Sequence, residues 1–379
     1  MRWLLALLVA GLCSAIVVAA CRTAAPPAGS SLPVDFDAEL GEHPWPGEQE
    51  ATRSIAQAIT EKVESTYLPG KRPARRDAHP KAHGCVRAMF EVDDSLAREF
   101  AQGVFQPGSR YAAWIRFSNG ASDPGRPDGA GDARGMAIKL MGVPGPKLVA
   151  DEQGTQDFIL INHPVFFVDD PQQYAVFFQR LNSSNPIVRF AAPLALGFRG
   201  VLIAREIGAS RIANPLFERY FSMVPYRLGD DESKLAVKFS ARPCIPREND
   251  PDEEAMQDPS FLRKAMRAAL EQDDACFEFL VQPRTSASMS VEHSMIEWKE
   301  SEAPFHKLAI ITIPKQTFDL PAQDEFCENL SFSPWHARTD QRPLGVVNRV
   351  RRVVYDAISA VRHELNGEQR NEPTSNEAF

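Results

Sequence analysis

Arg351, Tyr355 and Arg362 stand four and seven residues apart near the C-terminus. On a helix turning about 100° per residue, Arg351 falls about 40° and Arg362 about 20° from Tyr355, so the three side chains project together. A tyrosine binds ferric iron as phenolate although its free pKa is about 10, and a fixed guanidinium one turn away favours the charged form. Taken singly, Tyr355 also reads as an amphipathic tyrosine at the edge of a packed helix. His79 and His83 are spaced as a helical zinc pair would be, but Pro80 and Gly84 argue against a helix and the metalloprotease pattern is absent. There is no Cys-x-x-Cys-His for covalent haem attachment and no Gly-x-Ser-x-Gly nucleophile elbow. No phosphate-cradling glycine loop stands out, and Asp132-Ala133-Arg134-Gly135 reads as the turn into a strand.

The elements that must position these residues follow from periodicity. Apolar residues from Leu344 to Leu365 recur at helical spacing, with Tyr355 at the stripe's edge. A helix is also predicted near Glu48–Thr66. Cys85–Val92, Tyr111–Ser118, Gly135–Val143 and Asp157–His163 read as strands separated by turn signals such as Gln106-Pro107-Gly108. Pro171–Leu181, Ile187–Ile207 and Pro215–Tyr220 read as helical. A second β group follows at Leu235–Ala241, Cys276–Gln282, Ser288–Glu292 and Leu308–Ile313, with a helix at Ser260–Glu271 inside it. Four strands, a helical excursion and four more strands predict an α+β fold, an eight-stranded antiparallel barrel with helices outside. The apolar run Ile187–Ile203 holds Arg189, Pro193 and Arg199, so it is a surface or packed helix rather than a membrane span. Residues 366–379 are polar and expected to fray.

Composition and the N-terminus set the setting. The chain has 379 residues, net charge −8 and no basic block, which excludes a nucleic-acid footprint. Arg2, an apolar run from Trp3 to Ala20 and small residues before Cys21 fit a lipoprotein signal, with residues 1–20 removed and Cys21 acylated. An uncleaved anchor helix is the other reading, since eighteen apolar residues can just span a bilayer. Both readings export the body, and the lipoprotein reading puts it on the periplasmic face of a bacterial membrane, the outer membrane first. Cys85, Cys244, Cys276 and Cys327 then form two disulfides in one of three pairings, or stay as buried thiols. The organisation predicted is a tether and helix over 21–70, a barrel core over 71–320, a C-terminal segment over 321–366 and a polar tail over 367–379.

Five blocks occur in a fixed order: Arg76-Asp77-Ala78-His79, Arg116-Phe117-Ser118, Gly131-Asp132-Ala133-Arg134-Gly135, Asn162-His163-Pro164-Val165-Phe166-Phe167, and Arg351-Arg352-Val353-Val354-Tyr355 with Arg362 beyond. With gaps over residues 72–365, this resembles the catalase superfamily, and more closely its small bacterial catalase-like haem proteins. The resemblance implies a catalase-type barrel binding haem b, with Tyr355 as proximal iron ligand and Arg351 one turn before it. It implies His79 as distal histidine, Ser118 as its hydrogen-bond partner and Asn162 as distal asparagine. Arg76, Arg116 and Arg362 match the arginines that hold the haem propionates, and Phe167 the phenylalanine beside the haem face. The chemistry agrees. One neutral histidine serves as base and then acid in peroxide cleavage, and arginine forks suit carboxylates.

The departures concern the substrate more than the haem. The C-terminal domain of a full-length catalase is not in this sequence, so neither a nicotinamide site nor the interlocked tetramer is expected. The stretch from His79 to Val92 is one residue longer than usual, which makes His83 a rival for the distal role. Ser359 stands where many catalases have histidine. The expectation is haem-dependent breakdown of hydrogen peroxide or organic hydroperoxides with an unidentified electron donor, in oxidative-stress defence. The alternatives are conversion of lipid hydroperoxides and a non-catalytic haem-binding lipoprotein.

Overall fold

The computed structural model describes residues 36–67 and 73–379. The expected signal segment and Cys21 lie outside the described residues. Among the described residues there are nine strands: β1 Ala82–Val92, β2 Arg110–Asn119, β3 Arg134–Leu140, β4 Gln156–Ile161, β5 Tyr220–Phe221, β6 Tyr226–Leu228, β7 Leu235–Pro243, β8 Ala275–Pro283 and β9 His306–Ile313. All pair antiparallel, and β9 pairs back onto β1. The ring closes because β5 bridges β4 and β7, with Ile161 opposite Phe221 and Tyr220 opposite Ala241. β6 pairs with the other end of β7, Tyr226 against Val237, so β5 and β6 share one stave. The result is the predicted eight-stranded barrel, closed between β4 and β5 by the single Ile161–Phe221 pair.

The barrel interior is filled by aromatic side chains that alternate inward along the strands. Phe90, Phe105, Phe158, Phe239 and Phe279 are all buried, with ring centroids as close as 4.7 Å. The barrel is thus a packed core, and the large cavity lies outside its wall.

Among the described residues seven α-helices cover or flank it: α1 Glu48–Thr66, α2 Pro171–Leu181, α3 Pro186–Phe190, α4 Gly197–Ala209, α5 Phe261–Gln272, α6 Pro321–Asn329 and α7 Val346–Asn366. α7 packs beside α1 and touches α2. Its start is held by a buried ionic hub. Arg349 bonds Glu48 (2.7 and 2.9 Å), Glu42 (3.0 Å) and Glu292 (2.9 and 3.1 Å), and those side chains are essentially sealed from water. Two of the carboxylates also take the first free amides of the helix, Glu42 from Gly345 (2.8 Å) and Glu292 from Val346 (2.7 Å). Gly345 is at φ 83°, and a Cβ there would collide with the Val291 carbonyl.

Several expectations need correction. Ser288–Glu292 is a loop of local turns rather than a strand, and its Glu292 serves the Arg349 hub. Pro215–Tyr220 is not a helix. Only Pro215–Phe217 makes a 3-10 turn, and Tyr220 begins β5, the missing stave. The run Ile187–Ile207 breaks into α3, a 3-10 turn at Ala192–Leu196 and α4, because Pro193 has no amide to donate and Gly197 turns at φ 70°. α6 was not foreseen. The tail is not frayed: Phe379 packs on Trp114 and Phe326, and Glu372 accepts from the Gln153 amide at 3.2 Å. Of the open cysteine choices, the chain takes Cys85–Cys327 and Cys244–Cys276.

Replacing Arg349 by Met leaves three buried carboxylates without their counter-charge. Chemical denaturation is expected to show a loss of about 3–5 kcal/mol, and Arg349→Lys recovers only part of it, since an ammonium cannot fork between three acids. A loss under about 1 kcal/mol would show that the hub does not hold the helix.

Candidate functional site

A cavity of about 630 Å³ lies between the barrel wall and the helices α2 and α7. Among the residues around it are His79, Ser118, Arg116, Arg76, Phe167, Arg351, Tyr355 and Arg362. Eight of the nine residues singled out in the sequence therefore meet at one place, although nearly 290 positions separate the first from the last.

His79 sits at the end of the loop that enters β1, at φ 60°. A non-glycine residue there is strained by roughly 1 kcal/mol or more and needs its surroundings to hold it. Its amide donates to the Gly120 carbonyl (3.3 Å), its carbonyl accepts from Arg116 (2.8 Å), and its Nδ1 meets Ser118 Oγ at 3.0 Å. Gly135 of β3 lets the ring lie against the strand: a Cβ would come within 2.6 Å of His79 Nδ1 and 2.8 Å of Ser118 Oγ. Desolvation, with the charges of Arg116, Arg351 and Arg76 added, pushes the imidazole down to about 3. It is thus neutral at physiological pH, with Nδ1 engaged and Nε2 available as acceptor or, in the other tautomer, donor.

His83 does not compete for this position. It lies on β1 itself, buried and outside the cavity lining, with Nε2 on Asn119 Oδ1 at 2.8 Å and Nδ1 3.8 Å from Asp128. Burial holds it at about 4. Asn162 is the residue that the fold does not bring to the cavity wall. Its carbonyl accepts from the Arg134 amide (2.7 Å) and its amide nitrogen donates to Ser210 Oγ (2.7 Å). The side chain ties the end of β4 to the start of β3 and the end of α4, so the expected grip on a distal ligand is not its arrangement here.

On the opposite wall, α7 presents Tyr355 with Arg351 Nη2 donating to its Oη at 3.0 Å. Burial disfavours the Arg351 charge, but the Tyr355 and Tyr226 phenols more than offset this and hold its pKa above the usual guanidinium value. Arg351 is fixed further by Asn348 Oδ1 at 3.2 Å.

At one end of the cavity Arg76, Arg116 and Arg362 converge on a single acid. Glu328 lies 2.9 Å from Arg76 and 3.6 Å from Arg362, and the carbonyls of 327–330 hold the outer edges of both guanidinium groups. Burial and mutual repulsion push Arg116 and Arg362 down to about 9. The Nε of Arg116 is buried with no hydrogen-bond partner among the described residues. Three cations against one carboxylate leave two positive charges uncompensated in this quartet, an arrangement suited to a ligand carrying two carboxylates. The disulfide Cys85–Cys327 anchors the Glu328 segment to β1.

The remaining walls are apolar and aromatic: Phe166 and Phe167 meet at a tilt with centroids 4.5 Å apart, and Tyr174 and Phe177 of α2 continue the surface. Tyr174, whose phenol burial pushes up, and Asp77, which burial raises to about 6, line the cavity and were not singled out in the sequence. Tyr174 falls in an aromatic run that reads as core, and nothing local marks it. A separate cluster, Glu152, Asp157 and His336, has metal-like spacing. The Lys139 ammonium sits among them, 2.9 Å from Asp157, so it is an ion-pair network tying β3 and β4 to the C-terminal segment.

Because His79 and His83 are depressed, the unfolded chain takes up protons near pH 6.5 that the folded chain refuses. Their contribution is full above that pH and is lost as pH falls toward 4 for His83 and toward 3 for His79. The denaturation free energy is expected to fall there by about 1.4 kcal/mol per pH unit for each histidine. His79→Gln should remove about half of that slope; an unchanged slope would mean that the imidazole is charged.

Residues 60–187 match the family model for catalases. The chain is 36% identical over 105 residues to "Catalase C" of Rhizobium meliloti, covering 27% of this chain and 14% of that protein. It is 30% identical over 131 residues to a catalase of Ascaris suum, 34% of this chain and 22% of that one. A fungal catalase crystal structure superposes with a TM-score of 0.61 at 20% identity, over 77% of this chain and 60% of that one. A bacterial catalase gives 0.58 at 15% identity, over 91% and 67%. In sequence the chain thus matches less than a quarter of the length of these relatives, and the structural likeness carries the barrel fold alone.

Proposed function

We propose that this chain is a member of the catalase superfamily and a haem-dependent enzyme that breaks down peroxides. The observation that carries the reading is the pairing across one cavity of a neutral, rigidly held His79 with a phenol, Tyr355, that receives an arginine hydrogen bond. The residues fit haem b in three respects. Tyr355 Oη is available as the iron ligand, two uncompensated guanidinium charges suit two propionates, and Phe167 with the valines of α7 supplies apolar walls. When bound, haem supplies a ferric iron able to take the oxidising equivalents of a peroxide bond, and a tyrosinate ligand favours the ferric state. The protein's own work is proton movement. His79 Nε2 accepts the first peroxide proton and returns it to the leaving oxygen, while Ser118 fixes the ring through Nδ1. Arg351 holds the phenol in place.

A second reading, that organic or lipid hydroperoxides are the preferred substrates, is favoured by the breadth of the aromatic wall from Phe166 to Phe177. An organic electron donor completes a peroxidase cycle. The N-terminal pattern supports export, with the lipid on Cys21 anchoring the chain at the periplasmic face of a bacterial membrane, in defence against oxidative stress.

The test is the optical spectrum and peroxide turnover of the haem-loaded chain. Wild type is expected to take up stoichiometric haem and show a high-spin ferric tyrosinate spectrum that Tyr355→Phe abolishes. His79→Ala should keep the spectrum and lose turnover by about 10²–10⁴-fold. Hydrogen peroxide against a fatty-acid hydroperoxide then ranks the substrates. Haem uptake with turnover unchanged in His79→Ala would sink the enzyme reading in favour of a haem-binding protein, and no uptake would sink both.

A further inference from the structure

The excursion between β4 and β5 carries an apolar face that nothing among the described residues covers. Ile187 is 76% exposed, Phe190 89%, Leu194 71%, Phe198 83% and Leu202 47%. They fall three or four residues apart and follow one outer side of α3, the 3-10 turn and α4. The opposite side, Ala192, Leu196, Ile203 and Ile207, is buried. With Val188 at 38%, six large apolar side chains are exposed in one run of sixteen residues, which exceeds the scattered exposure of an ordinary surface.

The charge around this face is mainly positive, with Glu206, one turn beyond Leu202, as the acid at its edge. From Pro171 to Arg205 there is no Asp or Glu, while Arg180, Arg189, Arg199 and Arg205 are all present, in a chain whose net charge is −8. A twofold contact of this face with a second copy would set arginine against arginine, which disfavours self-association. Exposed phenylalanine and leucine rimmed by arginine suit a layer that is apolar inside and anionic at its surface. No helix among the described residues is long and apolar enough to cross a membrane. α3 has 5 residues and α4 has 13, so this excursion would lie in the headgroup plane.

We propose that residues 187–202 form a docking surface for an anionic lipid bilayer, with Phe190 and Phe198 inserted and Arg189 and Arg199 on the headgroups. Arg189 and, on the inner side of α4, Ala204 and Ile207 also line the cavity, so docking would bring the cavity's rim to the membrane surface. The proposal rests on the shape and charge of this face and not on the chemistry proposed for the cavity.

The experiment is hydrogen–deuterium exchange of the full chain, free and with vesicles of phosphatidylcholine alone or mixed with phosphatidylglycerol. Following a localised segment separates this surface from any contribution of the first 35 residues. Exchange across 187–202 is expected to slow roughly tenfold on the anionic vesicles, and to slow much less on neutral ones. Phe190→Ser with Phe198→Ser should remove the protection. Arg189→Gln and Arg199→Gln should each weaken it roughly fivefold. Unchanged exchange in this segment with vesicles bound, equal protection on neutral lipid, or a chain that binds neither vesicle overturns the proposal. So does protection already present without lipid, whether from a second copy or from the chain's own N-terminal residues.

Discussion

A single buried guanidinium fixes the geometry on which the cavity depends. Arg349 collects Glu42 and Glu48 from the N-terminal segment and Glu292 from the loop between β8 and β9. Together these carboxylates raise its pKa above the usual value despite its burial. Two of them also cap the first turn of α7. An ion pair sealed from water costs desolvation, and here that cost is offset by two-pronged geometry and by amides that need acceptors in any case. With the start of α7 pinned, the direction and rotation of the helix are set. Arg351, Tyr355 and Arg362 then face the barrel wall instead of solvent.

The cavity lies where two constructions of different rigidity meet. On one side is a closed barrel packed with phenylalanine, which holds His79 in a left-handed conformation by three hydrogen bonds and a glycine opposite. On the other is a helix held through its N-terminal hub and, near its far end, by Arg362 against the carbonyls of Glu328 and Leu330. The electrostatics divide in the same way. The histidine is kept neutral by desolvation and neighbouring arginines, and the arginine cluster keeps positive charge that its one carboxylate does not cancel. Both states come from enclosure and from neighbours far away in sequence.

Much of the site was legible because its parts carry local signatures. Tyr355 with Arg351 and Arg362 shows on a helical wheel, and the α7 stripe gave that helix to within a residue or two at each end. Arg76 and His79, and Arg116 and Ser118, are close in sequence and lie on a loop and a strand whose alternation is plain. What local pattern missed was the closing stave. Tyr220–Phe221 and Tyr226–Leu228 are too short to show alternation, and they are strands only because β4 and β7 offer them partners. Glu292 belonged to a run that reads as a strand, and only the position of Arg349 makes it a loop residue with a purpose. The same kind of competition places Asn162: its type and place fit, and its side chain bonds the Arg134 amide and Ser210.

The sequence by itself determined the alternation of strands, the amphipathic helix, the order of the blocks and the residue types of the candidate site, because these depend on side-chain chemistry and on periods of two and 3.6 residues. The tertiary structure alone decided which histidine faces the cavity, which cysteines pair, how the barrel closes and where Asn162 turns. Each of those outcomes is a competition between partners distant in the chain, settled by packing and by the cost of leaving a buried polar group unpaired.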